Sequence, residues 1–318
     1  MAYHRPVLSA KVSKDERSRQ TRYRELCEQT WLPLHFQPWW LDAVCGGPGA
    51  WGVCLSQDRG GGVTCVLPWY RARRWGLPIV QMPPFTSYAG PWYFYPQNTD
   101  LKDIGRLAFE KRTASALIEQ LPRSLFFRQH FRPEIGNWLP FYWAGFKQTT
   151  RYTYRLDPAI HTEAGRENTL RTDLKKAGSA LEIFPATDQS GRLFELYRQS
   201  LRRQNLPPAR HQTAFETLHG ALSARGQSLV LLARERGADE AVAGIWLAFD
   251  AKEAAFLLSG TSEAGRRLAA TPALIAAAID FCREKKLVLD FEGSMHEGME
   301  RLFRAFGGQL TPYFRVWR

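Results

Sequence analysis

The stretch TPALIAAAIDFCREKKLVLDFEG, Thr271 to Gly293, decides the reading of the fold. Its apolar side chains recur at helical spacing in two adjacent stripes: Leu274, Ala278 and Phe281, then Ile275, Ile279 and Cys282. A helix apolar over so much of its girth needs a sheet to cover it. Thr271 reads as the N-cap and Pro272 as the first helical position, ahead of a helix over Ala273–Lys285. Arg283, Lys285 and Lys286 stand at its end, where the helix dipole favours cations. A very short loop then leads to the apolar run Leu287–Phe291. That strand is expected to lie parallel to the one before the helix, the usual outcome of a strand–helix–strand crossover.

Working outward, Ser228–Arg234, Ala241–Phe249 and Ala254–Ser259 read as an antiparallel meander with polar turns between them. Gly260–Ala270 reads as a loop rich in small and basic residues. Ahead of the meander come a strand, Leu181–Phe184, and two helices, Gly191–Gln204 and Gln212–Ala224, separated by Leu206-Pro207-Pro208. Behind it follow a helix over Met299–Phe306, stopped by Gly307-Gly308, and a closing strand, Thr311–Trp317. The first half repeats part of this pattern, with a hairpin (Trp51–Leu55 and Gly62–Trp69) and further strands at Leu77–Met82, Ser124–Arg128 and Phe146–Leu156. Helices are expected over Leu101–Gln120 and Asn137–Trp143, and Asp157–Glu167, with Pro158 and Gly165 as breakers, reads as a connector. The expectation is an α/β chain with a mixed sheet, in two domains: 1–156 and 157–318.

Composition narrows the classes. Hydrophobic residues make up 44% and charged residues 23% of the 318, ordinary for a chain that buries a core. The aromatic residues, Trp39, Trp40 and Trp138 among them, are read as core. A net charge of +12 raises the local concentration of anions, whether nucleic acid, acidic membrane or phosphorylated small molecule. The excess is scattered: Arg71, Arg73, Arg74, Arg202, Arg203, Arg266 and Arg267 lie far apart. The five cysteines, Cys27, Cys45, Cys54, Cys65 and Cys282, show no C-x-x-C spacing, which argues against a zinc site or disulfide framework. No signal peptide and no membrane-spanning run is visible, so the expected location is cytoplasmic, with no bound metal.

Three stretches carry a family resemblance. Arg171-Thr172-Asp173-Leu174-Lys175-Lys176-Ala177 is similar to the basic segment that opens the second domain of FemAB-like proteins. Tyr88-Ala89-Gly90-Pro91 is similar to the tyrosine and Gly-Pro pair that ends their first domain's sheet segment. Thr271–Ile275 followed by Leu289–Gly293 looks like the helix-then-strand core of their second domain. The chain therefore resembles the FemAB-like branch of the GNAT acyltransferase superfamily, whose members carry tandem GNAT-like domains. The resemblance implies transfer of an acyl or aminoacyl group to an amine without a covalent enzyme intermediate. The donor it implies is acyl-CoA or aminoacyl-tRNA, and the acceptor a small-molecule or peptide amine held in a cleft between the domains. In GNAT enzymes a glycine-rich loop before the central helix holds the CoA pyrophosphate. Here the loop reads Gly265-Arg266-Arg267-Leu268-Ala269-Ala270-Thr271-Pro272, with no glycine at the tight approach and one N–H removed by Pro272. That departure tilts the expectation toward aminoacyl-tRNA, and with it tRNA as a partner. It also keeps open a GNAT-fold ligand-binding protein that has lost turnover.

Amine acylation needs a base for the ammonium proton and a donor group for the developing oxyanion, and no protein nucleophile. Glu292, at the carboxyl end of a buried strand, and His296, four residues on, are the candidate bases, with Tyr313 as candidate acid. An ion-paired Glu292, an exposed His296 and a packed Tyr313 are the plain alternatives. Arg266, Arg267 and Thr271, ahead of a helix N-terminus, are candidates for the donor's phosphate, against a solvated loop. Tyr88, Tyr197 and Arg198 are candidates for the acceptor, against simple packing.

Overall fold

The computed structural model describes residues 13–96, 103–157, 159–160, 166–293, 295 and 297–318. The chain divides into two compact units, Met1–Arg151 with Tyr313–Arg318, and Tyr152–Pro312.

In the first unit, helix α1 (Lys14–Gln29) starts at a capping box: Ser13 Oγ accepts from the Glu16 N–H while the Glu16 carboxylate accepts from the Ser13 N–H. Helix α2 (Pro38–Cys45) follows, with Trp40 buried and donating to Thr86 Oγ1 at 3.0 Å. Strands β1 (Trp51–Gln57), β2 (Val63–Arg74) and β3 (Leu77–Gln81) form an antiparallel sheet, with β4 (Trp92–Tyr93) also on β2. Helix α3 (Asp103–Glu119) contributes Phe109, Ala114 and Leu117 to a core that includes Cys54, Leu67, Phe131 and Phe141. Strand β5 (Arg128–His130) starts where the sequence reading ended its strand at Ser124–Arg128. A short helix α4 (Leu139–Trp143) precedes β6 (Lys147–Leu156), which begins in this unit and ends in the next.

The second unit continues with α5 (Asn168–Ala180), β7 (Leu181–Pro185), α6 (Ser190–Arg203), α7 (Gln212–Ser223), β8 (Ser228–Glu235), β9 (Ala241–Phe249) and β10 (Glu253–Thr261). There follow α8 (Glu263–Arg267), α9 (Ala270–Lys285), β11 (Val288–Asp290), α10 (Glu297–Ala305) and β12 (Gln309–Trp317), whose last residues return to the first unit. The strand order is β6-β11-β10-β9-β8-β7. Only β10 and β11 are parallel there; the other neighbours are antiparallel. The apolar stripes of α9 (Leu274, Ile275, Ala278, Ile279 and Cys282) are fully buried in a core with Leu247, Leu289 and Phe291, as a helix laid on a sheet requires.

The corner before α9 differs from its sequence reading. Ser262 caps a short helix within the expected loop, its Oγ accepting from the Gly265 N–H at 3.1 Å. Ala269, in the left-handed region at φ 53°, is the turn into α9, so Thr271 lies inside the first turn and is not its cap. Pro272 is tolerated there because N–H groups of the first turn have no helical partner.

Candidate functional site

The chemistry-bearing feature of the second unit is the place where its two parallel strands part. Pairing of β10 with β11 covers Glu253↔Val288, Ala254↔Leu289 and Ala255↔Asp290, while β10 continues to Thr261. On its other edge β10 slips register against β9 between Phe256 and Leu258, so Leu257 is an extra, bulged residue. A bulge bends and twists its strand, and here it follows the last pair with β11. β11 ends at Asp290, and beyond that level β10 runs on to Thr261 without it.

Asp290 is the last residue of β11 and is 5% exposed. Its neighbours Leu289 and Phe291 belong to the core with α9. Strand alternation therefore turns Asp290 to the opposite face. Thr153 donates to Asp290 Oδ1 at 2.7 Å, and the Glu292 N–H donates to the same oxygen at 2.7 Å. Arg155 Nε stands 3.5 Å from Oδ2, and its guanidinium also reaches Glu253 at 3.4 Å. Glu292 (φ 57°) and Gly293 (φ 84°) are both left-handed. This tight turn swings the Gly293 N–H onto Thr153 Oγ1 at 2.8 Å. A non-glycine residue in that region is strained, and the strain is met by the hydrogen bond to Asp290. Burial pushes the Asp290 carboxyl up, and the Glu292 charge adds to it. Arg155, Thr153 and the Glu292 N–H oppose them, and the balance lies at about 6. A carboxyl group held there can exchange a proton near neutral pH. Phe291 stacks on Phe303 at 4.2 Å, so the opposite face of this corner is dry.

Helix α6 lies directly on the far part of β10. A Cβ on Gly260 would fall 2.3 Å from the Tyr197 backbone nitrogen, so only glycine allows this approach. Ser200 Oγ donates to the Thr261 carbonyl and accepts from its N–H, at 3.0 and 2.8 Å, and Arg203 donates to the same carbonyl. A cavity of about 250 Å³ between α6 and α7 is lined by Phe194, Glu195, Arg198, Gln212, Phe215 and Glu216 among others. At the corner before α9, Arg266 and Arg267 are exposed on α8, with Glu263 3.6 Å from Arg266. The Arg266, Leu268 and Ala269 N–H groups bond within this corner.

The predicted site residues fall in both units. Glu292 is half-buried beside Asp290, and its main-chain N–H supports that carboxylate. His296 lies outside the described residues. Tyr313 belongs to the first unit, where it is buried, packs edge-on against Tyr88 at 5.3 Å and accepts from Arg151 Nε at 3.1 Å. Tyr197 is half-buried on α6, and Arg198 lines the α6–α7 cavity near Glu195. Arg266, Arg267 and Thr271 share one corner, at the carboxyl end of β10. Sequence reasoning missed Asp290 and Thr153. The available signal for Asp290 was a lone carboxylate inside an apolar strand; Thr153, more than a hundred residues away, had none. Among the described residues no three His, Cys, Asp or Glu side chains group as a metal site, and no helix is long and apolar enough to cross a membrane.

Residues 164–309 match the family described as acetyltransferase (GNAT) domain. Compared with curated proteins by sequence, the chain matches none. Its fold is similar to solved structures along most of its length. FemX shares 12% identity at a TM-score of 0.60, over 87% of this chain and 90% of that one. L-PGS from Bacillus licheniformis shares 10% at 0.58, over 98% and 94%. The C-terminal domain of a putative lysylphosphatidylglycerol synthetase from Agrobacterium fabrum shares 14% at 0.56, over 94% and 92%.

Proposed function

We propose, from the premise that this chain belongs to the FemAB-like branch of the GNAT superfamily, that it moves an acyl or aminoacyl group from an activated donor to an amine. The observation that carries this reading is the buried Asp290 carboxyl, held near neutrality where β10 and β11 part. As its ionised form, Asp290 takes the proton of the attacking ammonium. Thr153 and the Glu292 N–H hold the carboxylate in one orientation, and Arg155 keeps it from being trapped as the neutral acid. The free amine attacks the donor's carbonyl carbon, the bond to the leaving group breaks as the proton shed by the attacking nitrogen passes to the departing oxygen or sulfur, and no covalent enzyme intermediate forms. Glu292 acts on Asp290, through its charge and its main-chain N–H; it is a positioning residue. Arg266 and Arg267, with the first turn of α9, meet the donor's phosphate. The glycine-poor corner and Pro272 favour an aminoacyl-tRNA donor over acyl-CoA, because fewer main-chain N–H groups face a pyrophosphate.

The test is a donor-and-acceptor screen with the full chain, in which acylated amine is detected by mass spectrometry. Acyl-CoA and aminoacyl-tRNA panels are run separately. Product formation that survives Asp290→Asn at the wild-type rate removes Asp290 as the base. Binding of donor with no turnover under any pairing selects the inactive binding protein instead.

A further inference from the structure

The first unit carries a cationic face that the transferase reading does not use. In β5, Arg128 and His130 share one side of the strand, and the register with β12 sets Arg315 opposite His130 and Trp317 opposite Arg128. Tyr313, two residues before Arg315, bonds Arg151 of β6. Three arginines on three neighbouring strands, β5, β12 and β6, are thereby brought to one face. Other arginines of this unit are neutralised: Arg24, Arg71, Arg106 and Arg132 each stand within 3.0 Å of a carboxylate. The face is different. Among the described residues, Arg128 Nε and Arg315 Nε are buried and find no hydrogen-bond partner. Burial lowers Arg128 most, and its charged neighbours Arg315 and Arg151 lower it further. His130 is likewise depressed by burial first, then by Arg151, Arg128 and Arg315, to about 4, so it stays neutral beside them.

Mutually repelling guanidinium groups with buried, unsatisfied N–H donors are an unfavourable arrangement for an isolated protein and a favourable one around an anion. A carboxylate would leave most of the charge unbalanced. Phosphate oxygens match both the charge and the forked donors of several arginines at once. We propose that this face of the first unit, with Arg128, Arg151 and Arg315 around His130 and Tyr313, binds the phosphate or diphosphate group of a soluble small molecule. This assignment stands whether or not the chain is a transferase.

The test is calorimetric titration of the full chain with sodium pyrophosphate, and with inorganic phosphate as a second probe. The chain also carries Arg266→Ala and Arg267→Ala, so that the donor corner does not contribute. Saturable binding is expected, weakened at least tenfold by Arg315→Gln and at least tenfold by Arg128→Gln. Each substitution removes a repelling cation, so melting temperatures are expected to hold or rise. A second readout needs no variant of the face: the His130 imidazole titration, followed by NMR, should move to higher pH when pyrophosphate is present. Absence of binding, or binding that both glutamine variants leave undiminished, overturns the proposal, as does a His130 titration that pyrophosphate leaves in place. Binding to phosphatidylglycerol vesicles or to an RNA hairpin, with none to pyrophosphate, overturns it in favour of a surface for those polymers or lipids.

Discussion

Asp290, buried in one unit, and His130, half-buried in the other, are titratable groups near the end of a strand, and in both burial works against the charged form. Their surroundings then push them to different ends. Asp290 has Thr153, a main-chain N–H and Arg155 to support its anion, so burial is largely offset and the group stays poised at about 6. His130 has three arginines as neighbours, so their field adds to burial and the group settles at about 4. One environment favours exchange of a proton. The other removes a proton for good and leaves a net positive face. The difference lies in the partners, since burial acts against charge in both.

The comparison breaks most visibly if Asp290 is not the base. Asp290→Asn is expected to lower kcat/KM about 100- to 10,000-fold in an initial-rate assay, the range for losing a general base. In the unsubstituted chain the same parameter should rise with pH through about 6, as the carboxylate forms. A rate independent of pH across that window counts against the assignment.

The face that Asp290 shares with α6 depends on Gly260. Gly260→Ala sets a Cβ 2.3 Å from a backbone nitrogen and should destabilise by about 3 kcal/mol or more. That is a fall of roughly 6–12 °C in melting temperature. Gly220→Ala, at an exposed position of helix α7 with nothing within 4 Å, is the control and should be neutral or stabilising by about 0.5–1 kcal/mol.

A stability–pH profile sharpens the contrast further, because the two groups bend it in opposite directions. Below pH 6.5 the unfolded chain protonates a histidine that the folded chain keeps neutral, so His130 stability is lost as pH falls through about 4. Asp290 contributes the reverse: its stability is present below the unfolded carboxylate value of about 4 and is lost as pH rises through about 6. His130→Asn should therefore flatten acid loss, by up to about 3 kcal/mol in denaturant titrations near pH 4, while Asp290→Asn should remove the opposing contribution. The smallest expected effect is at the donor corner. Arg266→Ala with Arg267→Ala should raise the donor KM about 3- to 10-fold with kcat nearly unchanged, read from the same assay.

Much of the second unit was legible because its signals are local. The helix around Ile275 shows its period within a dozen residues, and the strand that follows is apolar and short. Glu292 was selected for standing at the end of that strand, where its N–H donates to the Asp290 carboxylate. Asp290 was passed over because, inside Leu287–Phe291, it reads as part of the apolar run; only the pleat shows it facing away from Leu289 and Phe291. The capped turn at Ser262 was absorbed into a loop, since five helical residues give too little periodicity to stand out. The cationic face was invisible for another reason. Its arginines come from positions 128, 151 and 315, and along the chain they are three among many scattered charges.

Residue order and periodicity alone determined most of the element sequence of the second unit, though not helices α5 and α8, together with its buried central helix, the parallel strand after it and an excess of positive charge, because each depends on neighbours a few positions apart. Which carboxylate is desolvated, which hydroxyl supports it, and which arginines meet without a counter-charge were decided only by the tertiary fold. Hydrogen-bond geometry and electrostatic fields act over a few ångströms of space, and those ångströms join positions that the chain keeps far apart.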